Sequence, residues 1–140
     1  MVTFRASVEA TKDDPVMDFT MCLLNSVTTA HILHLSTRSY SQHKALEGFY
    51  TEISDLIDGF VEAFQGKYGL LTKYPTSCDL MPNADPITYL EYLKVEVSTL
   101  RVAANFPKDT ELQNITDEIA ALIDSTLYKL RFLLICRLEK

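Results

Sequence analysis

The sequence contains no tryptophan, only four glycines and only three cysteines among its 140 residues. The cysteines, Cys22, Cys78 and Cys136, are widely spaced and odd in number, which argues against a disulfide framework or a CxxC metal site. With 47% hydrophobic residues and so little glycine, the composition favours a compact helical protein over a disordered one. The length predicts a single domain that spans residues 1–140.

Clusters of positive charge are also missing. The net charge is −6, and there is no Lys-rich tail. Nucleic acid is not expected as a partner, because phosphate binding requires concentrated Lys and Arg. We expect no apolar run to be long enough to span a bilayer, and the first residues lack the layout of a secretion signal. The sequence therefore predicts a cytoplasmic protein without a membrane partner.

Two long helices are predicted in the first half of the chain. The first runs from about Pro15 to Thr37, with Asp13 or Asp14 as its cap. A break near 36–41 precedes the second, where Ser39 and Gln42 have the spacing of a capping box. The second helix has an apolar stripe, and two glycines end it near Gln65. The stripe consists of Leu46, Phe49, Ile53, Ile57, Phe60 and Phe64, and the glycines are Gly66 and Gly69.

The second half predicts two more helices. Residues 67–85 form a long connection that holds two of the five prolines. Asp85 and Pro86 open a third helix that is expected to reach about Asn105, and Asp109 or Thr110 caps a fourth. The fourth is expected to continue through the segment LRFLLIC. No stretch favours a sheet, so the prediction is an all-α four-helix bundle with a crossover between helices two and three.

Five residues form the candidate metal site, and all lie on the first two helices: His31, His43, Glu47, Asp58 and Glu62. The two histidines are equidistant from position 37, so an antiparallel hairpin is expected to bring them level. Within the second helix, Glu47 follows His43 by one turn, and Glu62 follows Asp58 by one turn.

One chain cannot bring all five residues to one metal. His43 and Asp58 are about 22 Å apart along a helix that rises 1.5 Å per residue. If two copies of the second helix cross antiparallel between positions 52 and 53, His43 faces Glu62 and Glu47 faces Asp58 of the other copy. A two-fold dimer then contains two equivalent sites, and the small residues Thr51 and Ser54 allow close approach.

The donor set mixes two imidazoles with three carboxylates. This combination suits Fe(II), Mn(II) or Zn(II) better than calcium or a thiophilic metal. Carboxylates that bridge two ions would permit a pair of irons, which could transfer electrons to peroxide or dioxygen.

The stretch AHILHLSTRSYSQHKALEGFYTEISDLIDGFVEAFQGKYG, positions 30–69, resembles the Dps family of mini-ferritins. The match rests on the ordered spacing of His31, His43, Glu47, Asp58 and Glu62 and on the string HKALEGF. The resemblance implies a ferritin-like up-down-down-up bundle and an intersubunit ferroxidase centre that oxidises and sequesters Fe(II). It also implies a homo-oligomer that is at least a two-fold dimer and that could extend to a shell of 12 subunits.

Two alternatives remain open beside the ferroxidase. One is a non-enzymatic ferritin-like protein whose dimer surface binds another protein, with the metal structural or absent. The other is a di-metal oxidase acting on a small molecule, ranked last because repeated Glu-x-x-His motifs are missing. His34 is expected to support the site or lie at the surface, and Tyr50 to pack beside it.

Overall fold

The computed structural model describes residues 14–133, and within this range the secondary structure is entirely helical. Four helices follow one another within these residues: α1 (Pro15–Ser36), α2 (Tyr40–Tyr68), α3 (Pro86–Leu100) and α4 (Thr110–Phe132). The predicted all-helical class is confirmed for this part of the chain, which contains the four expected helices. The arrangement is consistent with a four-helix bundle.

Local capping signals set three of the helix starts. The carboxylate of Asp14 accepts a hydrogen bond from Met17 N at 3.1 Å, and that of Asp85 accepts one from Thr88 N at 3.1 Å. The hydroxyl of Ser39 accepts one from Gln42 N at 3.3 Å. Each bond satisfies an amide that has no partner within its helix. The predicted caps at Asp14, Ser39 and Asp85 are confirmed.

The second half of the capping box does not form. The Gln42 side chain accepts a hydrogen bond from the Thr37 hydroxyl instead of returning to Ser39 N. The end of α2 also differs from the prediction, because Gly66 lies within the helix and only Gly69, with φ of 97°, ends it. A left-handed conformation of this kind favours glycine.

The predicted third helix is too long. It ends at Leu100 and not near Asn105, and turns follow that place Phe106 in the core at 2% exposure. The helix α4 begins at Thr110 as predicted, but the Asp109 carboxylate makes no capping bond. It accepts hydrogen bonds from Lys67 and Tyr68 at the end of α2. The predicted helical segment LRFLLIC is helical as far as Phe132, Leu133 caps the helix, and the last three residues of the segment lie outside the described residues.

Each helix packs against two others. The helix α1 contacts α2 and α3, and α4 also contacts α2 and α3. Ion pairs between α3 and α4 join Lys94 to Asp124 and Arg101 to Asp117, so these helices run antiparallel. The apolar stripe of α2 is buried as predicted from Leu46 to Phe60, with Phe64 partly buried, and all four helices contribute to this one core.

By length and composition, α1 could cross a bilayer, contrary to the expectation from the sequence. Half of its most apolar stretch is buried among the other helices. A helix that packs into a protein core can be as long and as apolar as one that crosses a membrane. The burial of Phe19, Leu23 and Ala30 explains why α1 is so apolar.

Candidate metal centre

The hairpin between α1 and α2 positions the candidate site. Only residues 37–39 separate the two helices. The Thr37 hydroxyl donates to the Gln42 side chain at 2.7 Å and accepts a hydrogen bond from Ser39 N at 3.1 Å. This short, hydrogen-bonded turn places the last turn of α1 beside the first turn of α2.

His34 and His43 face each other across the hairpin and exchange hydrogen bonds with each other's backbone. His34 Nδ1 donates to the carbonyl of His43 at 2.7 Å, and His43 Nδ1 donates to the carbonyl of His34 at 2.9 Å. The imidazole rings stack with centroids 3.7 Å apart. The carbonyl of His34 lies in the last turn of α1, where carbonyl groups have no N–H partner within the helix. The hydrogen bond from His43 therefore also caps this end of α1.

These hydrogen bonds determine the tautomer of both histidines. A backbone carbonyl only accepts hydrogen bonds, so the proton of each neutral ring lies on Nδ1. The Nε2 atom of each ring keeps its lone pair. Histidine ligands of metals are commonly held in this way, with one ring nitrogen donating to a carbonyl while the other binds the ion.

Glu47 adds a carboxylate to the two imidazoles. One potential ligand atom from each of His34, His43 and Glu47 lies within 4.8 Å of the others. His34 is buried, and the other two residues are partly buried. The hydrogen bond from Lys44, at 3.2 Å, and its positive charge lower the pKa of Glu47. The carboxylate is therefore anionic, as a ligand should be, and Lys44 competes with a metal for it.

The donor chemistry of this cluster fits a divalent transition metal, but the rings must move to share one ion. Two imidazoles and a carboxylate suit Fe(II), Mn(II) or Zn(II). The ring planes of His34 and His43 are only 19° apart. Because each Nε2 lone pair lies in its ring plane, nearly parallel planes do not converge on a common ion. One ring has to tilt out of the stack for both histidines to bind.

His31 does not join His43, although the sequence predicted that the two would be level. Its ring is stacked on Tyr50 with centroids 4.3 Å apart, and the residue is exposed. The turn is centred at position 38 and not at 37, so His43 is level with residue 33 of α1 and His34, one residue further on, is the histidine nearest to it. His31 remains adjacent, with its ring centroid 5.8 Å from that of His34.

His34 is the site residue that sequence reasoning undervalued. It was expected to have a supporting or surface role, but only 6% of it is exposed. A signal was present, because His34 continues the helical spacing of Val27 and Ala30 on the face of α1 that turns toward the core. A histidine in an apolar stripe beside a second histidine across a hairpin would have pointed to this cluster.

Asp58 and Glu62 lie far from the histidines of the same chain. Both are exposed on α2, which is continuous from Tyr40 to Tyr68, so His43 and Asp58 remain about 22 Å apart along the helix. Asp58 borders a shallow groove between α1 and α2 that also includes Leu24 and Ser54. The predicted five-residue ligand set is therefore not assembled within one chain.

These features define a class of protein: across residues 14–133 it consists of four helices, with a His-His-Glu cluster at one hairpin. The chain belongs to the Family of unknown function (DUF5856), whose model matches residues 34–130. The matched range includes His34, His43, Glu47, Asp58 and Glu62 and begins after His31.

One relative is a protein of Enterobacteria phage T4, described as an uncharacterized 14.6 kDa protein in the mobD-ri intergenic region. It is 44% identical to this chain over 39 residues, which are 28% of this chain and 30% of the phage protein. The match thus spans less than a third of the relative's length. No solved structure matches the chain. Neither description names a ligand or an activity, so the Dps resemblance stays a prediction.

Proposed function

We propose that this protein binds a divalent transition metal, with Fe(II) as the first candidate and Mn(II) or Zn(II) as alternatives, at the α1–α2 hairpin. The observation that carries the proposal is the proximity of His34, His43 and Glu47, whose potential ligand atoms lie within 4.8 Å of one another. The Nδ1 hydrogen bonds to backbone carbonyls support it, because they leave both Nε2 atoms free to coordinate.

Binding requires two local rearrangements. One imidazole tilts out of the stack, and Glu47 exchanges its hydrogen bond with Lys44 for the ion. Both changes are confined to side chains at the hairpin, and the positive charge of the metal replaces that of Lys44 beside the carboxylate. His31, next to His34 and stacked on Tyr50, is the nearest additional imidazole.

We further propose that the metal site is Dps-like and is completed in a two-fold dimer. Asp58 and Glu62 of a second copy would approach His43 and Glu47 if two α2 helices cross antiparallel. The exposure of both acidic residues and of Thr51 supports this arrangement. In the cytoplasm such a centre would oxidise and sequester iron: hydrogen peroxide and two protons would accept one electron from each of two Fe(II) ions, giving two waters and two Fe(III) ions.

The helix contacts support a ferritin-like topology for this proposal. Lys67 at the end of α2 pairs with Asp109 before α4, and Phe19 near the start of α1 contacts Phe60 late in α2. With the antiparallel α3–α4 pair, these contacts fit an up-down-down-up order. The connection of residues 69–85 would be the crossover.

A second candidate function is non-enzymatic, and the stacked histidines favour it. Reciprocal hydrogen bonds between His34 and His43 already satisfy both Nδ1 atoms and join the two helices without any metal. On this account the histidines are a structural clasp. The exposed face of α2 would then bind another protein or a second copy of the chain.

Anaerobic calorimetric titration with Fe(II), repeated with Zn(II), tests the proposal. Compared with the unaltered protein, His34→Ala, His43→Ala and Glu47→Gln should each weaken binding by about tenfold or more, which corresponds to 1.4 kcal/mol per factor of ten. Glu52→Gln, an exposed acidic residue on the same helix, is the matched control and should bind normally.

The double variant Asp58→Asn/Glu62→Gln distinguishes the forms of the proposal. If it weakens binding and light scattering shows a dimer, the intersubunit site is supported. If this variant binds the metal normally while His34→Ala does not, the site is formed by the hairpin of a single chain. No binding of either metal by the unaltered protein would contradict the metal proposal and leave the clasp.

A further inference from the structure

A cavity of about 180 Å³ lies on the side of α1 that faces α3, and the connection of residues 69–85 covers it. Met17 and Met21 of α1 line it, together with Met81 from the connection and Tyr89 and Tyr92 from α3. No residue of the hairpin cluster contributes to its wall, so the cavity is separate from the candidate metal centre.

The body of the cavity is apolar and adaptable. Three of the four methionines of the chain line it, and thioether side chains fit irregular apolar ligands and contact aromatic rings favourably. Met17 and Tyr89 are buried, at 1% and 4% exposure. An apolar cavity of about 150 Å³ in another protein holds benzene. This cavity therefore has room for one aromatic ring with a short side chain.

The polar part of the wall is acidic. Asp18, Asp79 and Glu96 line the cavity, and among residues 14–133 no Lys, Arg or His contributes to its wall. Glu96 follows Tyr92 by one turn of α3, so both side chains lie on the face of this helix that borders the cavity. An apolar chamber with a few convergent polar groups is the usual form of a small-molecule site.

Two neighbouring groups respond to this negative charge. Burial raises the pKa of the Cys22 thiol to about 12, and the charges of Glu96 and Asp18 add to the effect. Burial also raises the pKa of Tyr92 to about 12, again with a contribution from Glu96. Burial disfavours a charge of either sign, but the negative charges of Glu96 and Asp18 act against an anion and in favour of a cation.

We propose that this cavity binds a small organic cation: an ammonium group attached to an apolar body about the size of one aromatic ring. The ammonium group would lie near Glu96, where Tyr92 can also present its ring to the positive charge. The methionines would surround the apolar body.

A matched set of three compounds tests the charge requirement by calorimetry on the whole protein. 2-Phenylethylamine, 2-phenylethanol and 3-phenylpropionate have similar bodies and carry a positive, neutral and negative group. The amine should bind about tenfold or more tightly than the alcohol, and the carboxylate most weakly. Absence of amine binding, or equal binding of all three compounds, would overturn the proposal.

Glu96→Gln and methyl NMR locate the site. In this variant the ratio of the dissociation constants of the alcohol and the amine should fall to nearly one. Glu118 is exposed on α4 and lies outside the cavity, so Glu118→Gln should leave the ratio unchanged. In the unaltered protein, the amine should shift the methyl signals of Met17, Met21 and Met81. Binding that leaves these signals unmoved would contradict the location. His43→Ala should bind the amine normally, so this proposal and the metal proposal fail separately.

Discussion

The two ends of the α1–α2 pair are closed by opposite kinds of chemistry. Near the start of α1, Phe19, Phe60 and Phe106 pack with ring centroids 4.8 to 5.7 Å apart and no more than 2% exposure. At the hairpin, His34 and His43 stack with centroids 3.7 Å apart and exchange hydrogen bonds. Two apolar side chains could also have packed between the helices at the hairpin. The presence of two histidines there therefore points to a role beyond packing.

The largest expected effect is at the apolar end. Phe60→Ala should destabilise the protein by about 3–5 kcal/mol, because it removes a buried ring that contacts Phe19 and Phe106 and leaves a cavity. Urea denaturation monitored by circular dichroism measures this change. A loss below about 1 kcal/mol would show that the phenylalanine cluster is not the main stabilising region of the pair.

Metal binding at the polar end should have the next largest effect. Zn(II) at a hundred times its dissociation constant should stabilise the folded protein by about 2.7 kcal/mol, since the ion binds the assembled hairpin and not the unfolded chain. Thermal unfolding with and without Zn(II) tests this, with removal of the ion by a chelator as the reversal. His34→Ala should lose the stabilisation, and an equal gain in that variant would contradict the assigned site.

Removing one clasp hydrogen bond should have a smaller effect. His43→Phe keeps a ring to stack on His34 but removes the donor to the His34 carbonyl, which should cost about 1–2 kcal/mol. His31→Phe is the matched control, because His31 is exposed and should change stability by less than about 0.5 kcal/mol. Equal losses in the two variants would mean that the reciprocal hydrogen bonds contribute nothing specific.

The smallest expected effect is the coupling between the two ends. His43 and Phe60 are separated by about 25 Å along α2, and distant sites without shared contacts are additive within about 0.5 kcal/mol. The double variant His43→Phe/Phe60→Ala should therefore lose the sum of the two single losses. A coupling energy above about 1 kcal/mol would show that the two ends are not independent.

Much of the fold could be predicted because its signals are local. Asp14, Ser39 and Asp85 cap helices through hydrogen bonds to residues three positions away, and Gly69 ends α2 through its own backbone conformation. The end of α3 could not be predicted in this way. Phe106 lies after the end of α3 and is buried against Phe19 of α1 and Phe60 of α2. The chain leaves the helix to make these tertiary contacts, which no local sequence pattern indicates.

The structure brings two of the five predicted residues, His43 and Glu47, together at the hairpin, but with His34 in place of His31. His43 and Glu47 follow from spacing within one helix. Whether His31 or His34 faces His43 depends on the register between two helices, and a shift of the turn by one residue changes the answer. Asp58 and Glu62 depend on a second copy of the chain, which no pattern within one helix can position.

The imidazole nitrogens offer the most direct test of the account. Long-range ¹⁵N–¹H NMR spectra of the metal-free protein at neutral pH should show His34 and His43 protonated at Nδ1 and bare at Nε2. Addition of Zn(II) should move both Nε2 signals to the range of metal-bound nitrogen, with His31 less affected. If Zn(II) leaves both Nε2 signals unchanged, or if either ring carries its proton on Nε2 before the metal is added, the proposed centre is wrong.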